Sequence, residues 1–270
     1  MSAHTPNELA DAFPDDAEAL HQLKLTNAHF AKLAEQHHEV NREIHRIETE
    51  IDAASDDRLE ALKKERLHLL DEIAVMLEAA TELVATPAPK RTLLFVALTA
   101  EERGLLGAEH FASNPGVDGT LVANINMDMP VFLADVTDVV PIGIEHSSLE
   151  GDVKAAAEVL GIGLTADPKP EEVVFVRSDQ YAFVRKGIPA VYLDAGIKAR
   201  SPDVDALALY EDFLTGHYHQ PSDETSLPIH YPSAARLAML NAAIGRRVGD
   251  AEQKPGWKEG DFFGRTFGGQ

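Results

Sequence analysis

The sequence predicts an α/β protein: an N-terminal antiparallel helical hairpin, then an incomplete, mostly parallel sheet with helices on both faces. Three features carry that expectation. From Asp15 to Leu83 there is no glycine or proline, and apolar residues recur at seven-residue spacing, the mark of a helical seam. Thr86-Pro87-Ala88-Pro89 then closes the helical stretch, because proline lacks a backbone donor and disfavours helix at the residue before it. Beyond it, short β-forming runs alternate with helical patterns, as in a sheet covered on both sides. The organisation expected is a polar tail at 1–14, the hairpin at 15–83, a linker at 84–90 and an α/β domain at 91–270 lacking its N-terminal strands.

In the hairpin, Phe30, His37, Ile44 and Ile51 recur every seven positions, with Leu33, Val40 and Ile47 between them. The seam breaks at Ala53-Ala54-Ser55-Asp56-Asp57. There Ser55 or Asp57 can cap a second helix, and Asp57 with Glu60 resembles a capping box. The second seam runs Leu59, Leu62, Leu69, Ile73, Met76, Ala80 and Leu83, with Arg66 as its polar exception. A hairpin this small buries little by itself, so self-association or docking is expected. Of its histidines, His37 falls on the seam, where it tunes register or packs. His68 and Asp71 share a face without a further ligand.

In the α/β part, Leu93–Leu98 reads as a buried strand. Leu105–Ala112 reads as a short helix stopped by Asn114-Pro115-Gly116, and Leu121–Met127 as a strand running into Asp128. Val139–Ile144 is a strand and Leu149–Leu160 a helix closed by Gly161. Val173–Val176 is a strand, Asp179–Lys186 a helix and Ala190–Leu193 a strand. Residues 216–225 are a polar loop, and Ser233–Val248 is a closing amphipathic helix. The aromatic, glycine-rich tail PGWKEGDFFGRTFGG is suited to packing on the surface.

The net charge of −21 argues against nucleic acid or an anionic membrane surface as partner. The absence of cysteine excludes disulfides and thiolate metal sites. The N-terminus has neither a basic start nor an apolar stretch, so a cytoplasmic protein is expected.

Three stretches carry candidate chemistry. Glu101 and Glu102 follow the Leu93–Leu98 run, where open α/β sheets place their sites. Asp128 ends NINMDM, and GHYHQPSDE holds His217 and His219. Carboxylates and imidazole at neighbouring strand ends suit zinc, which takes nitrogen and oxygen ligands at about 2.0–2.2 Å. An adjacent carboxylate can then serve as a general base.

RTLLFVALTAEERGLLGAEHFA, VANINMDMP, FVRSDQYAFVRKGIPAVYL and HYHQPSDE, in this order, closely resemble the di-zinc exopeptidase family, the aminopeptidase type related to glutamate carboxypeptidases. The resemblance runs from about residue 76 to 270. It implies Glu101 as general base and acid, Glu102 and His219 as ligands of one zinc, and Asp128 as a ligand of the other. It implies a substrate-side loop at Ser178-Asp179-Gln180-Tyr181, with Asp179 and Tyr181 as substrate-binding residues; Tyr181 either helps to hold the tetrahedral oxyanion or is a core or rim tyrosine. The cofactor implied is zinc and the partner a peptide substrate. Members of that family are often exported. The family also has a His-x-Asp pair and a bridging aspartate before the Glu-Glu block, and this chain has neither; the hairpin stands in their place. The segment LHQLKLTNAHFAKLAEQHHEVNREIHRIE with DDRLEALKKERLHLLDEIAVML resembles small bacterial two-helix proteins of unknown function, over about residues 15–78. Residues 72–83 fit both resemblances. Two functions follow as expectations. One is a zinc-dependent exopeptidase. The other is a catalytically inactive peptidase remnant, acting as a binding or self-association protein through its hairpin.

Overall fold

A computed structural model gives the fold. It describes residues 6–14, 20–21, 24, 28–49, 51–56, 58–64, 66, 70, 87–223 and 227–269. Contacts divide the chain into two compact units, Met1–Thr86 with Leu94–Ala97, and Pro87–Leu93 with Leu98–Gln270.

In the first unit, α1 (Leu9–Ala12) is a single helical turn and α2 (Ala28–Glu48) a long helix. Leu9, Leu20, Ala34, Val40, Ile44, Leu62 and Ala97 form its core. After α2 the chain turns at Ser55, whose hydroxyl accepts from the Arg58 amide at 3.2 Å, and residues 58–64 are helical. Lys63 pairs with Glu48 at 2.7 Å and Arg66 donates to Asn41 at 2.9 Å. Later residues thus meet earlier ones, as in an antiparallel hairpin. Asp57, His68, Leu69, Asp71, Ile73, Met76, Ala80 and Leu83 lie outside the described residues.

The second unit carries α3 (Leu106–Ser113), β1 (Asn124–Asn126), β2 (Asp138–Ile142), α4 (Leu149–Leu160), β3 (Gly163–Leu164), α5 (Gln180–Val184), β4 (Ala190–Asp194), α6 (Ala206–Gly216), α7 (Tyr231–Asp250) and α8 (Phe262–Phe267). The sheet order is β1-β4-β2-β3. β1 runs parallel to β4 and β3 parallel to β2, while β2 and β4 are antiparallel, so the sheet is small and mixed. β3 covers only Asp138 and Val139, which leaves an unpaired edge where Pro141 can offer no donor.

Strand alternation sorts the core into two layers. Val139, Val191 and Leu193 join Leu149 and Val153 of α4 and Leu237, Leu240 and Ile244 of α7 on one face. Val140, Ile142, Ala190 and Tyr192 join Val184 of α5 and Trp257, Phe263 and Phe267 of the C-terminal segment on the other. Each fully buried aliphatic side chain here stabilises the fold by about 1.5–3 kcal/mol. α4 shows why such residues make a helix. Leu149, Val153, Ala156 and Ala157 fall on one stripe, and Gly161 at φ 65° closes it in the left-handed conformation. The tail is held by the Trp257 indole, which donates to the Gly187 carbonyl at 2.9 Å, and by Asp261, whose carboxylate accepts from the amides of Phe263 and Gly264 to start α8.

Two expected strands are corrected. Leu93–Leu98 forms no strand. Among the described residues no neighbouring strand offers it a ladder, so its apolar side chains pack without one: Ala97 in the first unit's core, and Leu98 beside Ala108 and Phe183 in the second. Val173–Val176 is likewise not a strand but the second of two 3₁₀ turns, at 170–172 and 174–176, set off by Val173 at φ 48°. Its apolar run fed the sheet face through Phe175 rather than the ladder.

Candidate active site

The candidate residues sit at element ends with unusual backbone. Glu101 and Glu102 lie on a 3₁₀ turn, Glu101–Arg103, entered through Ala100 at φ 59° and left through Gly104 at φ 97°. Gly107 donates to the Thr99 carbonyl at 3.0 Å, and a Cβ there would lie 2.4 Å from that oxygen, so the turn needs glycine for close approach. Asp128 follows β1 and precedes Met129 at φ 45°, and His219 itself has φ 59°. A left-handed non-glycine residue costs on the order of 1 kcal/mol or more, and such residues cluster at functional sites. Here one precedes Glu101, one follows Asp128 and one is His219.

The side chains fall into three arrangements. Glu102 Oε1 and His219 Nε2 pair at 2.6 Å, and the Tyr218 ring stacks on His219 with centroids 3.7 Å apart. Glu101 lies within electrostatic reach of Asp128, Glu102 and His219. Burial first, then the charges of Asp128 and Glu102, hold its carboxyl above the ordinary glutamate range, while His219 opposes the shift. Asp128 is fixed by a partly buried relay. Ser178 Oγ donates to its Oδ2 at 2.6 Å, Asn126 Nδ2 donates to Ser178 Oγ at 3.3 Å and to Gln180 Oε1 at 2.8 Å, and Gln180 Nε2 donates to the Phe175 carbonyl at 3.0 Å. The Tyr192 hydroxyl donates to the Asp128 carbonyl at 3.2 Å.

Asp179 stands at the N-cap position of α5 without a side-chain cap hydrogen bond. Tyr181 packs on the Val140–Tyr192 layer with the Arg185 guanidinium 5.3 Å from its ring centre. Among the described residues no hydrogen bond joins Tyr181 to Glu101, Glu102, Asp128 or His219. Reading for acids at strand ends found Glu101 and Asp128 but passed over Asp194, which carries the same signal after the apolar run Ala190–Leu193. β1 and β4 are parallel neighbours, so Asp128 and Asp194 lie at the same, carboxyl end of the two strands. Burial pushes Asp194 up to about 6, with the Asp128 charge adding to it. Tyr210, on the unforeseen helix α6, is pushed up by burial and by Asp194 and Asp128.

A catalytic zinc takes three protein donors plus water. Glu102 and His219 supply two. Among the described residues no three His, Cys, Asp or Glu side chains gather as a metal shell. The donors brought together here do not by themselves fit a catalytic zinc.

A family model described as peptidase family M28 matches residues 72–244, most of the chain, and this protein belongs to that family. A second model, for the family of unknown function DUF465, matches residues 30–77. No curated protein matches. Among solved structures, the chain is similar to a peptidase M28 precursor from Shewanella amazonensis SB2B, at 17% identity and a TM-score of 0.43, over 68% of this chain and 38% of that one. The chain thus spans well under half the length of that relative. No described helix is long and apolar enough to cross a membrane.

Proposed function

We propose that the chain is an exopeptidase-type hydrolase whose site is half built. Glu101 moves the proton, Asp128 is a preset anionic wall, and Glu102 with His219 begins a metal shell that the donors gathered here do not complete. The observation that supports this reading is the Glu101 carboxyl, held above its usual range beside a paired Glu102–His219 and a fixed Asp128. A general base works best when its proton affinity lies near the working pH, and the shift is in that direction. In peptide hydrolysis Glu101 would accept the proton of the attacking water and return it to the leaving amine. The tethers on Asp128 keep that carboxylate from swinging onto Glu101.

A second reading rests on the incomplete donor set: a peptidase-derived binding module that associates through its hairpin. One experiment separates the two. Release of a chromogenic amine from an aminoacyl anilide is followed with the full chain, with and without added zinc, alongside bound zinc per chain and mass by light scattering. The hydrolase reading expects turnover that falls at least about 100-fold in Glu101→Gln, the usual scale for losing a general base. Equal turnover in the variant, or none in the native chain under either condition, overturns it. A silent dimer without zinc would favour the binding module.

A further inference from the structure

One polar side chain on the hairpin seam plays no part in the candidate site. His37, on α2, is 0% exposed, and neither ring nitrogen has a hydrogen-bond partner among the described residues. A buried polar group without a partner is costly, so the imidazole can only be tolerated in its neutral form. Its charged surroundings do not change that. Glu8 faces it from the segment before α1, His38 from α2, Lys24 from the chain ahead of α2 and Arg66 from the segment after the turn. Of these only Glu8 favours a charge on His37, and Glu8 is already engaged by His38 Nδ1 at 2.8 Å and Asn41 Nδ2 at 3.4 Å.

The same neighbourhood moors the N-terminal segment. Asn41, itself buried, donates to the Pro6 carbonyl at 2.7 Å, and Leu9 is buried with Ala34, Val40 and Ile44. Among the described residues, Glu8, which tethers the segment to His38 and Asn41, is also the one group that favours a charge on His37.

We propose that Pro6–Phe13 is an acid-released strap, closed over α2 while His37 is neutral and opened when His37 is protonated, uncovering an apolar face at Ala34, Val40 and Ile44. The sign follows from burial, which holds His37 below its ordinary value of 6.5. The closed form therefore binds the proton less well than the open form. Its stability is complete above the ordinary histidine range and is lost as pH falls below it. Protonation of His38 would tighten its pair with Glu8, but that pair is partly exposed and such pairs contribute little.

The chain has no cysteine, so Ala10→Cys and Glu39→Cys place two spin labels, on the strap and on α2, in the full chain. A single short distance is expected at about pH 7.5, and an open population several-fold larger at about pH 5, below the ordinary histidine range. With His37→Leu added, the short distance should persist at both. No change with pH in the parent, or the same opening in the leucine variant, overturns the strap. If that variant does not fold, the ring ¹⁵N titration of His37 in the native chain decides. A midpoint below 6.5 supports the proposal and one at or above it overturns it.

Discussion

At the scale of single residues, the candidate site is a problem of like charges. The charge of Asp128 adds to the proton affinity of both Glu101 and Asp194, and Asp194 is raised from 3.8 to about 6, chiefly by burial. Asp194 binds its proton more tightly when folded than when unfolded. Its contribution is therefore favourable at low pH and is lost as pH rises from about 4 through about 6. A shift of about two units corresponds to about 3 kcal/mol, and partial exposure reduces it to about 1–2. Asp194→Asn should match the native chain in thermal stability near pH 4 and exceed it near pH 8. A gap that does not vary with pH would sink this account of Asp194. Glu101, Asp128 and His219 were legible as single residues because acid or imidazole at an element end is a local sequence signal. The relay of Ser178, Asn126 and Gln180 was not, since it joins residues about fifty apart along the chain through side-chain geometry alone.

At the scale of elements, helices with a stripe and a cap were readable. Leu149–Leu160 was found at its exact limits because its apolar stripe ends on a glycine. α6 was missed although its signals were present: Asp205 caps it by accepting from the Ala208 amide at 3.0 Å, and Leu207, Tyr210, Phe213 and Leu214 share one side while Glu211, Asp212 and Thr215 share the other. The two failed strands share one cause. An apolar run reports burial, and a strand also needs a partner backbone, which sequence spacing does not reveal. One unforeseen clasp replaces the missing ladder. Arg91, just before the Leu93–Leu98 run, donates to the carbonyls of Val248, Ala251 and Glu252, and its amide donates to Gly249, all at the end of α7. Of these, the Val248 and Gly249 carbonyls are among those a helix end leaves unsatisfied. Arg91→Ala should cost about 1–3 kcal/mol in denaturant unfolding, by the usual worth of charged hydrogen bonds. It should also speed amide exchange selectively over residues 245–250. Uniform exchange across α7 would argue against a local clasp.

At the scale of the whole molecule, the family matches meet over residues 72–77, where one ends and the other begins. The expectation that residues 72–83 serve both modules lies outside the described residues, but the overlap falls on the same stretch. The chain thus belongs to peptidase family M28, and its residues 30–77 are similar to the DUF465 family. The structure shows two units, each with its own core. The mixed sheet was foreseen as mostly parallel; only the β2–β4 pairing runs the other way.

The place of β4 in that sheet bears on how fast the unit can form. β4 is the last strand in sequence, yet it lies between β1 and β2, with Asn124 paired to Ala190 and Ile142 to Tyr192. Every ladder through β4 closes a loop of fifty residues or more, and among the described residues β1 has no other partner. Loop-closure entropy comes due before those contacts reward it, so the rate-limiting nucleus should contain β4. Val191→Ala should slow refolding by a larger factor than it speeds unfolding. Val153→Ala, in the locally formed α4, should act mainly on unfolding. Stopped-flow chevrons would show this directly, and a refolding rate unchanged by Val191→Ala would place the nucleus elsewhere.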